Sequence, residues 1–242
     1  MKNYYETQFE TQKKGLSLSV PLVNAFLRRV FVIMGLGLAI TGLTAFLFAQ
    51  YLAANPAVFN QIFGSGLAYV VMFAPFIFVL MLSFGINRLS ATTAAVLFGL
   101  FSLVMGISLS SIFFVYTGSS IALTFFVTAG TFAGMAVYGL TTKKDLTKFG
   151  NYLFMALIGI IIASVVNIFL QSSGLEWIIS IVGVLLFAGL TAYDVQRLSE
   201  MDYMENADSE SVGKLAVMGA LSLYLDFINL FLFLLRFLGS RE

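Results

Sequence analysis

Apolar residues along this chain come in long uninterrupted runs. Seven of them, at about 30–52, 66–87, 93–116, 120–140, 151–171, 177–194 and 215–238, approach the ~20 residues a helix needs to cross ~30 Å of hydrocarbon. The pattern predicts an all-α integral membrane protein with seven transmembrane helices. The links between the runs are short, and the longest covers about 195–214. The chain therefore divides into a polar tail over 1–29, a transmembrane domain over 30–238 and a C-terminal tail over 239–242, with no segment long enough for a second domain.

Basic residues set the expected orientation. The N-terminal tail carries Lys2, Lys13, Lys14, Arg28 and Arg29; the second connection carries Arg88, the fourth Lys143, Lys144 and Lys148, and the sixth Arg197 and Lys214. The first, third and fifth connections have no Lys or Arg. Such a bias places the N-terminus in the cytosol. The polar residues ahead of the first run, and its length, argue against a cleaved signal peptide. Seven crossings put the C-terminus outside, where Arg236 and Arg241 run against the rule. A last helix that turns back to the cytosol is the alternative. Gly35, Gly37 and Gly42 in the first span and Gly130, Gly134 and Gly139 in the fourth are expected to let helices approach closely, with a dedicated dimerisation face as the second reading.

Composition narrows the chemistry. Hydrophobic residues make up 60% of the chain and charged ones 10%, against roughly 25% charged in soluble domains, and the mean hydropathy is +0.96. A net charge of +1 gives no case for nucleic acid. Cysteine and histidine are both absent, which removes disulfides, thiolate sites, the commonest general base and the usual pH switch. Any proton chemistry must use carboxylates.

The informative residues are the polar ones that spans avoid. Asp226 lies mid-span in Ala220-Leu-Ser-Leu-Tyr-Leu-Asp-Phe-Ile-Asn-Leu-Phe231, where an aspartate costs roughly 2.5–3.5 kcal/mol and needs a partner or water. Ser222, Asp226, Asn229 and Phe233 share one helical face, so the last helix is expected at the bundle centre with this stripe inward. Asp226 is then either a neutral residue gluing helices together or a functional one. Asp194, in Thr191-Ala-Tyr-Asp194, ends the sixth run, and Arg88 ends the second. Each alone reads as an interfacial residue, yet both belong to one membrane face and could form an ion pair. Contact between Asp194 and Asp226 is left open by depth, since Asp226 lies about 16 Å into its run. Ser108 and Ser111, in Gly106-Ile-Ser-Leu-Ser-Ser-Ile-Phe113, either line a polar path or bond back to their own helix. The acidic residues Glu200, Asp202, Glu205, Asp208 and Glu210 lack the EF-hand pattern and read as a solvated loop. Without His no Ser–His dyad exists, and without Lys in the last span no retinal Schiff base. No enzyme is predicted.

The stretches at 220–231, 191–194 and 106–113 together resemble the last-, sixth- and third-helix motifs of the Bax inhibitor-1 family, also called the transmembrane Bax inhibitor motif family, in its bacterial YccA/YetJ-like branch. The resemblance runs from the first span onward. It implies two layers of three helices around a central C-terminal helix and a buried, hydrogen-bonded Asp194–Asp226 pair, with Arg88 as a latch that can pair with Asp194. Two carboxyls in contact at low dielectric share a proton and titrate as a unit, a bistable element fit for a gate.

In family terms the implied function is a pH-sensitive calcium (cation) leak channel, with Ca2+ as permeant ion and no cofactor; a metal site is left undetermined. Its path would pass Ser108, Ser111, Ser222 and Asn229, between the last helix and the second, third and sixth. A second implied role, from a different class, is an interaction protein regulating FtsH-type membrane proteolysis, with the cytosolic tail as the handle of a membrane AAA protease. Partners are then the lipid bilayer, cations and that protease. The expected location is a bacterial inner membrane.

Overall fold

The computed structural model describes residues 2–200 and 208–240, with side chains from Val23 onward. The described chain is helical, with no strand. α1 (Lys2–Ala54) is followed by a short α2 (Pro56–Phe63), then α3 (Leu67–Gly85) and α4 (Ala91–Leu109), which runs into a 3-10 turn at Ser110–Phe114. α5 (Gly118–Thr141), α6 (Thr147–Leu170), α7 (Ser173–Ser199) and α8 (Ser209–Leu238) complete the bundle. Seven of these segments are long and apolar enough to cross a membrane: Val23–Ala54, α3, α4 with its 3-10 turn, and α5 to α8.

Burial runs opposite to that of a soluble protein. Phe84, Phe126 and Phe169 are 82%, 71% and 83% exposed, whereas Asp194 and Asp226 are 8% and 5% exposed. Exposed aromatic rings at this density require hydrocarbon around the bundle. α8 is the centre: about two thirds of its most apolar window is buried, against 6% for α6. It packs on α1, α4, α5 and α7, while α1 and α3 pack on α4, and α5 and α6 pack on α7.

The helices outrun the apolar stretches that reveal them. α7 continues to Ser199 and α8 begins at Ser209, because the apolar count detects only the hydrocarbon core and the backbone stays helical through the headgroup layer. At 30 residues, α8 is about 45 Å long. It does not turn back. Its end is fastened beside the start of α5, where Thr117 N–H donates to the Ser240 carbonyl at 3.2 Å and Ser240 N–H donates to Ser120 Oγ at 2.9 Å. This is the end of the bundle without basic connections. Arg236 is accommodated there by Glu176, Nε to Oε1 3.9 Å. Below, the end carrying Arg88, Lys144 and Arg197 is called the basic end.

Two acidic residues of the sixth connection cap helices and are not simply solvated. Asp208 accepts from Ser211 N–H at 3.2 Å at the start of α8, and bonds from Ser211 hold its carboxyl below the usual carboxylate range. Glu210 accepts from Ala91 N–H at 2.6 Å and so caps α4. Asp202 and Glu205 lie outside the described residues. Of the six glycines expected at helix contacts, two are there. A Cβ on Gly139 would sit 2.4 Å from the Ala192 carbonyl oxygen and one on Gly37 2.6 Å from the Phe98 ring. Gly35, Gly42, Gly130 and Gly134 face open space.

Candidate functional site

α7 and α8 run antiparallel along the bundle axis, and the polar residues of each fall on the shared seam. Asp194 sits one and a half turns from the end of α7, in a register fixed from two sides. Its helix lies directly on α5 through Gly139. Two residues on, the buried Gln196 side chain accepts from Leu146 N–H at 2.7 Å and donates to the Lys144 carbonyl at 2.9 Å. The α5–α6 connection therefore clamps α7 just beyond the carboxylate. That connection is itself ordered by Asp145, which accepts from the Thr147 hydroxyl and from Thr147 N–H at 2.9 Å. These bonds lower the Asp145 pKa.

Across the seam, Ser222 Oγ donates to Asp194 Oδ2. One turn further along α8, the Asp226 carboxyl lies beside that of Asp194. Among the described residues no N–H or O–H group donates to the buried Asp226 Oδ2. Depth, which left this contact open in the sequence, is reconciled by the extended helices. α8 starts six residues before its apolar run and α7 ends five residues after its own, so both carboxyls lie inside the bundle.

A cavity of about 240 Å³ reaches Asp194 from the basic end, bounded by Ser83 of α3, by Asp194 and Arg197 of α7, and by Met218, Gly219 and Ser222 of α8. Arg197, one turn from Asp194, is the guanidinium beside this carboxyl. Arg88 is not. It is exposed on the turn between α3 and α4, and no ion pair joins it to Asp194 among the described residues. The physical reason is register: α3 stops at Gly85 and the following turn carries Arg88 outward.

Of the hydroxyl and amide residues expected beside a path, Ser222 belongs to the site. Asn229 shares its face but donates back to the Leu225 carbonyl at 2.8 Å. Ser111 Oγ donates back to the Ser108 carbonyl at 3.2 Å, and neither serine lines the cavity at the pair. α4 packs on the other side of α8, where Tyr224 lies. Tyr224 and Asp226 are two residues, or about 200°, apart around the helix.

Tyr224 is the residue the sequence does not reveal. It is fully buried, with its hydroxyl 2.6 Å from Thr41 Oγ1. Thr41 donates onward to the Ser102 carbonyl at 2.9 Å. Because Thr41 spends its proton on Ser102, Tyr224 is the donor to Thr41. The ring stands edge-on to Phe98 and Phe101, with centroids 5.6 and 5.1 Å away. This network joins α1, α4 and α8 and fixes the rotation of α8, and with it the direction of Asp226. A Tyr in an apolar run looks like a lipid-facing residue; its place opposite the Asp226 stripe is the signal that could have singled it out. Gly106, from the third-helix motif, serves the same packing: a Cβ there would lie 2.7 Å from the Thr41 carbonyl oxygen.

No group of three or more acidic, His or Cys side chains is placed to hold a metal among the described residues. The arrangement comprises two adjoining carboxyls, a hydroxyl donor and a cation one turn away, with a cavity that reaches Asp194. Two carboxyls placed in this way can hold a single proton between them.

Comparison with known proteins agrees with this architecture. The sequence profile of the family described as "Inhibitor of apoptosis-promoting Bax1" matches residues 23–242. The chain is 51% identical over 233 residues to an uncharacterised protein of Borreliella burgdorferi, covering 96% of this chain and 97% of that one. It is 47% identical over 222 residues to the inner membrane protein YbhL of Escherichia coli K12, covering 91% and 93%. A Caulobacter vibrioides protein is 41% identical over 244 residues, covering 95% and 98%. With a matching profile over nearly the whole transmembrane bundle and relatives of the same length, the chain belongs to the Bax inhibitor-1 family of multi-pass membrane proteins.

Proposed function

We propose that this protein is a pH-sensitive cation leak pathway, with Ca2+ among its permeant ions, gated by the Asp194–Asp226 pair. The observation that carries the reading is two buried carboxyls side by side, with a cavity that reaches Asp194 from the basic end. With the N-terminus in the cytosol, that end faces the cytosol.

Two carboxyls in contact share one proton, and they titrate together. When the proton leaves, two like charges remain. At ~4 Å and an effective dielectric of ~20 their repulsion is about 4 kcal/mol, comparable to the ~5.5 kcal/mol that takes a two-state element from 1:99 to 99:1. Arg197 and the Ser222 hydroxyl stand ready to receive a separated Asp194 carboxylate. Proton binding is thereby coupled to the spacing of α7 and α8, and the chain achieves this without histidine.

The test is Ca2+ flux into liposomes containing the purified protein, from mildly acidic to mildly alkaline pH. Asp194→Asn and Asp226→Asn each keep the shape but cannot share the proton, so each is expected to lose most of the pH dependence. The double variant is expected to match the singles, since coupled sites are not additive. Wild-type pH profiles in both single variants would reduce Asp226 to a neutral residue holding helices together.

A further inference from the structure

The α7–α8 seam continues past the carboxyl pair, and its far half is built differently. From the basic end it passes Arg197, then Asp194 with Ser222 and Asp226, then Asn229. Next come two aromatic rings: Phe187 of α7 and Phe233 of α8 are stacked with centroids 5.8 Å apart and planes 24° from parallel. Phe233 also lies on bare backbone, because a Cβ on Gly183 would stand 2.6 Å from its ring atoms. The Arg236 guanidinium is 5.7 Å from the centroid of the same ring, and Arg236 pairs in turn with Glu176. One turn beyond the rings, at Arg236, a second cavity of about 450 Å³ is bounded by Ser164 and Asn167 of α6, by Gln171 just after it, by Glu176 and Ile179 of α7 and by Arg236, and not by the rings themselves. The seam thus has a polar cavity near each end, the second shared with α6, and an apolar stack between them.

We propose that Phe233 is a second gate on this seam: its ring, stacked on Phe187 and seated on Gly183, seals the opposite-end cavity from the carboxyl pair. An apolar constriction excludes water and hydrated ions without any charged barrier. Glycine at 183 gives the ring a flat seat, and Arg236, held by Glu176, keeps it there through its attraction to the ring face. Freed from that contact, the half-buried Phe233 ring can turn off Gly183 by rotation of its side chain alone. The carboxyl pair governs access from the basic end, and Phe233 governs access from the other. That the sealed route carries cations rests on the function proposed above; the seal itself does not.

The chain has no cysteine of its own, so a single one can report on the seal. Asn229→Cys places a thiol between the rings and the carboxyls. With Phe233 intact, a small cationic thiol reagent applied from the side of Glu176 and Arg236 is expected to modify it slowly. Adding Phe233→Ala is expected to raise the rate at least tenfold at every pH. Phe233→Leu, which keeps an apolar side chain and preserves folding, is expected to raise it less and in the same direction. In chains with Asn229 intact, Phe233→Ala is expected to increase cation flux several-fold at the permissive pH and to leave its pH dependence in place, because the carboxyl gate remains. Unchanged modification rates in both Phe233 variants would overturn the seal, even if wild-type flux were pH-dependent. Faster modification without cation flux in any variant would uphold the seal and defeat the cation reading.

Discussion

An aspartate at the middle of a membrane helix costs roughly 2.5–3.5 kcal/mol on insertion scales, and a second carboxyl beside Asp226 can offset that cost only by sharing a proton with it. The Asp226 carboxyl meets Asp194, which itself accepts from Ser222 and lies one turn from Arg197. The stripe of Ser222 and Asp226 was legible in the sequence because residues four apart share a helical face. The cation was not. Arg88 and Arg197 are both basic residues at the same end of the bundle, and only the register of their helices separates the one lining the cavity from the one exposed on a turn. The two are therefore expected to behave differently. Arg197→Gln removes the charge beside Asp194 and is expected to displace the pH profile of Ca2+ flux, whereas Arg88→Gln is expected to leave it in place. A displaced profile in the Arg88 variant and an unmoved one in the Arg197 variant would identify Arg88 as the latch.

Helices as elements were legible because run length alone discloses them, and all seven spans fall where the apolar runs lie. Their contacts were less so. Glycine spacing carries no direction, and it cannot tell a face turned to a neighbour from one turned to lipid; on α5, Gly139 meets α7 while Gly130 and Gly134 are exposed. Asp194 and Asp226 could not be brought together from hydropathy for a related reason, since hydropathy truncates α7 and α8 at the ends where they extend. The α5–α7 contact matters to the site because Ala192, which meets Gly139, is two residues from Asp194. Gly139→Ala would drive a methyl into rigid backbone and not into a side chain that can swing aside. Overpacking of this kind costs about 1–3 kcal/mol. Gly130→Ala and Gly134→Ala enter open space and gain helix propensity of up to ~1 kcal/mol each. Thermal unfolding in detergent is expected to show a lower midpoint for Gly139→Ala, by about 2–4 °C per kcal/mol, and no decrease for the other two. A decrease shared by all three would mean that α5 presents its glycine face to something other than lipid.

At the scale of the whole molecule, orientation and the role of the N-terminal tail are one question. The basic residues gather at one end of the bundle, and Ser240 is fastened to Thr117 and Ser120 at the other. If the basic end is cytosolic, single cysteines at Gly64 and Ser119 are expected to react with impermeant reagents from outside, and Lys144→Cys only from inside. On that reading Arg28 and Arg29, beside the first apolar run, carry the orientation signal without help from the tail. Removing residues 2–20 is therefore expected to leave insertion and this labelling pattern unchanged. It also separates the cation pathway from the alternative of a protein that regulates FtsH-type proteolysis. The carboxyl pair and the Phe233 stack are built from α7 and α8, and no residue of the tail lines the cavity at Asp194, so the shortened protein is expected to conduct with the wild-type pH profile. A protease that takes hold of the chain by its cytosolic tail would lose its grip on the same protein. Conduction intact and protease engagement lost would assign the two activities to different parts of one molecule. Loss of the pH response on truncation would instead mean that the tail acts on the gate, and the carboxyl pair would no longer suffice to explain it.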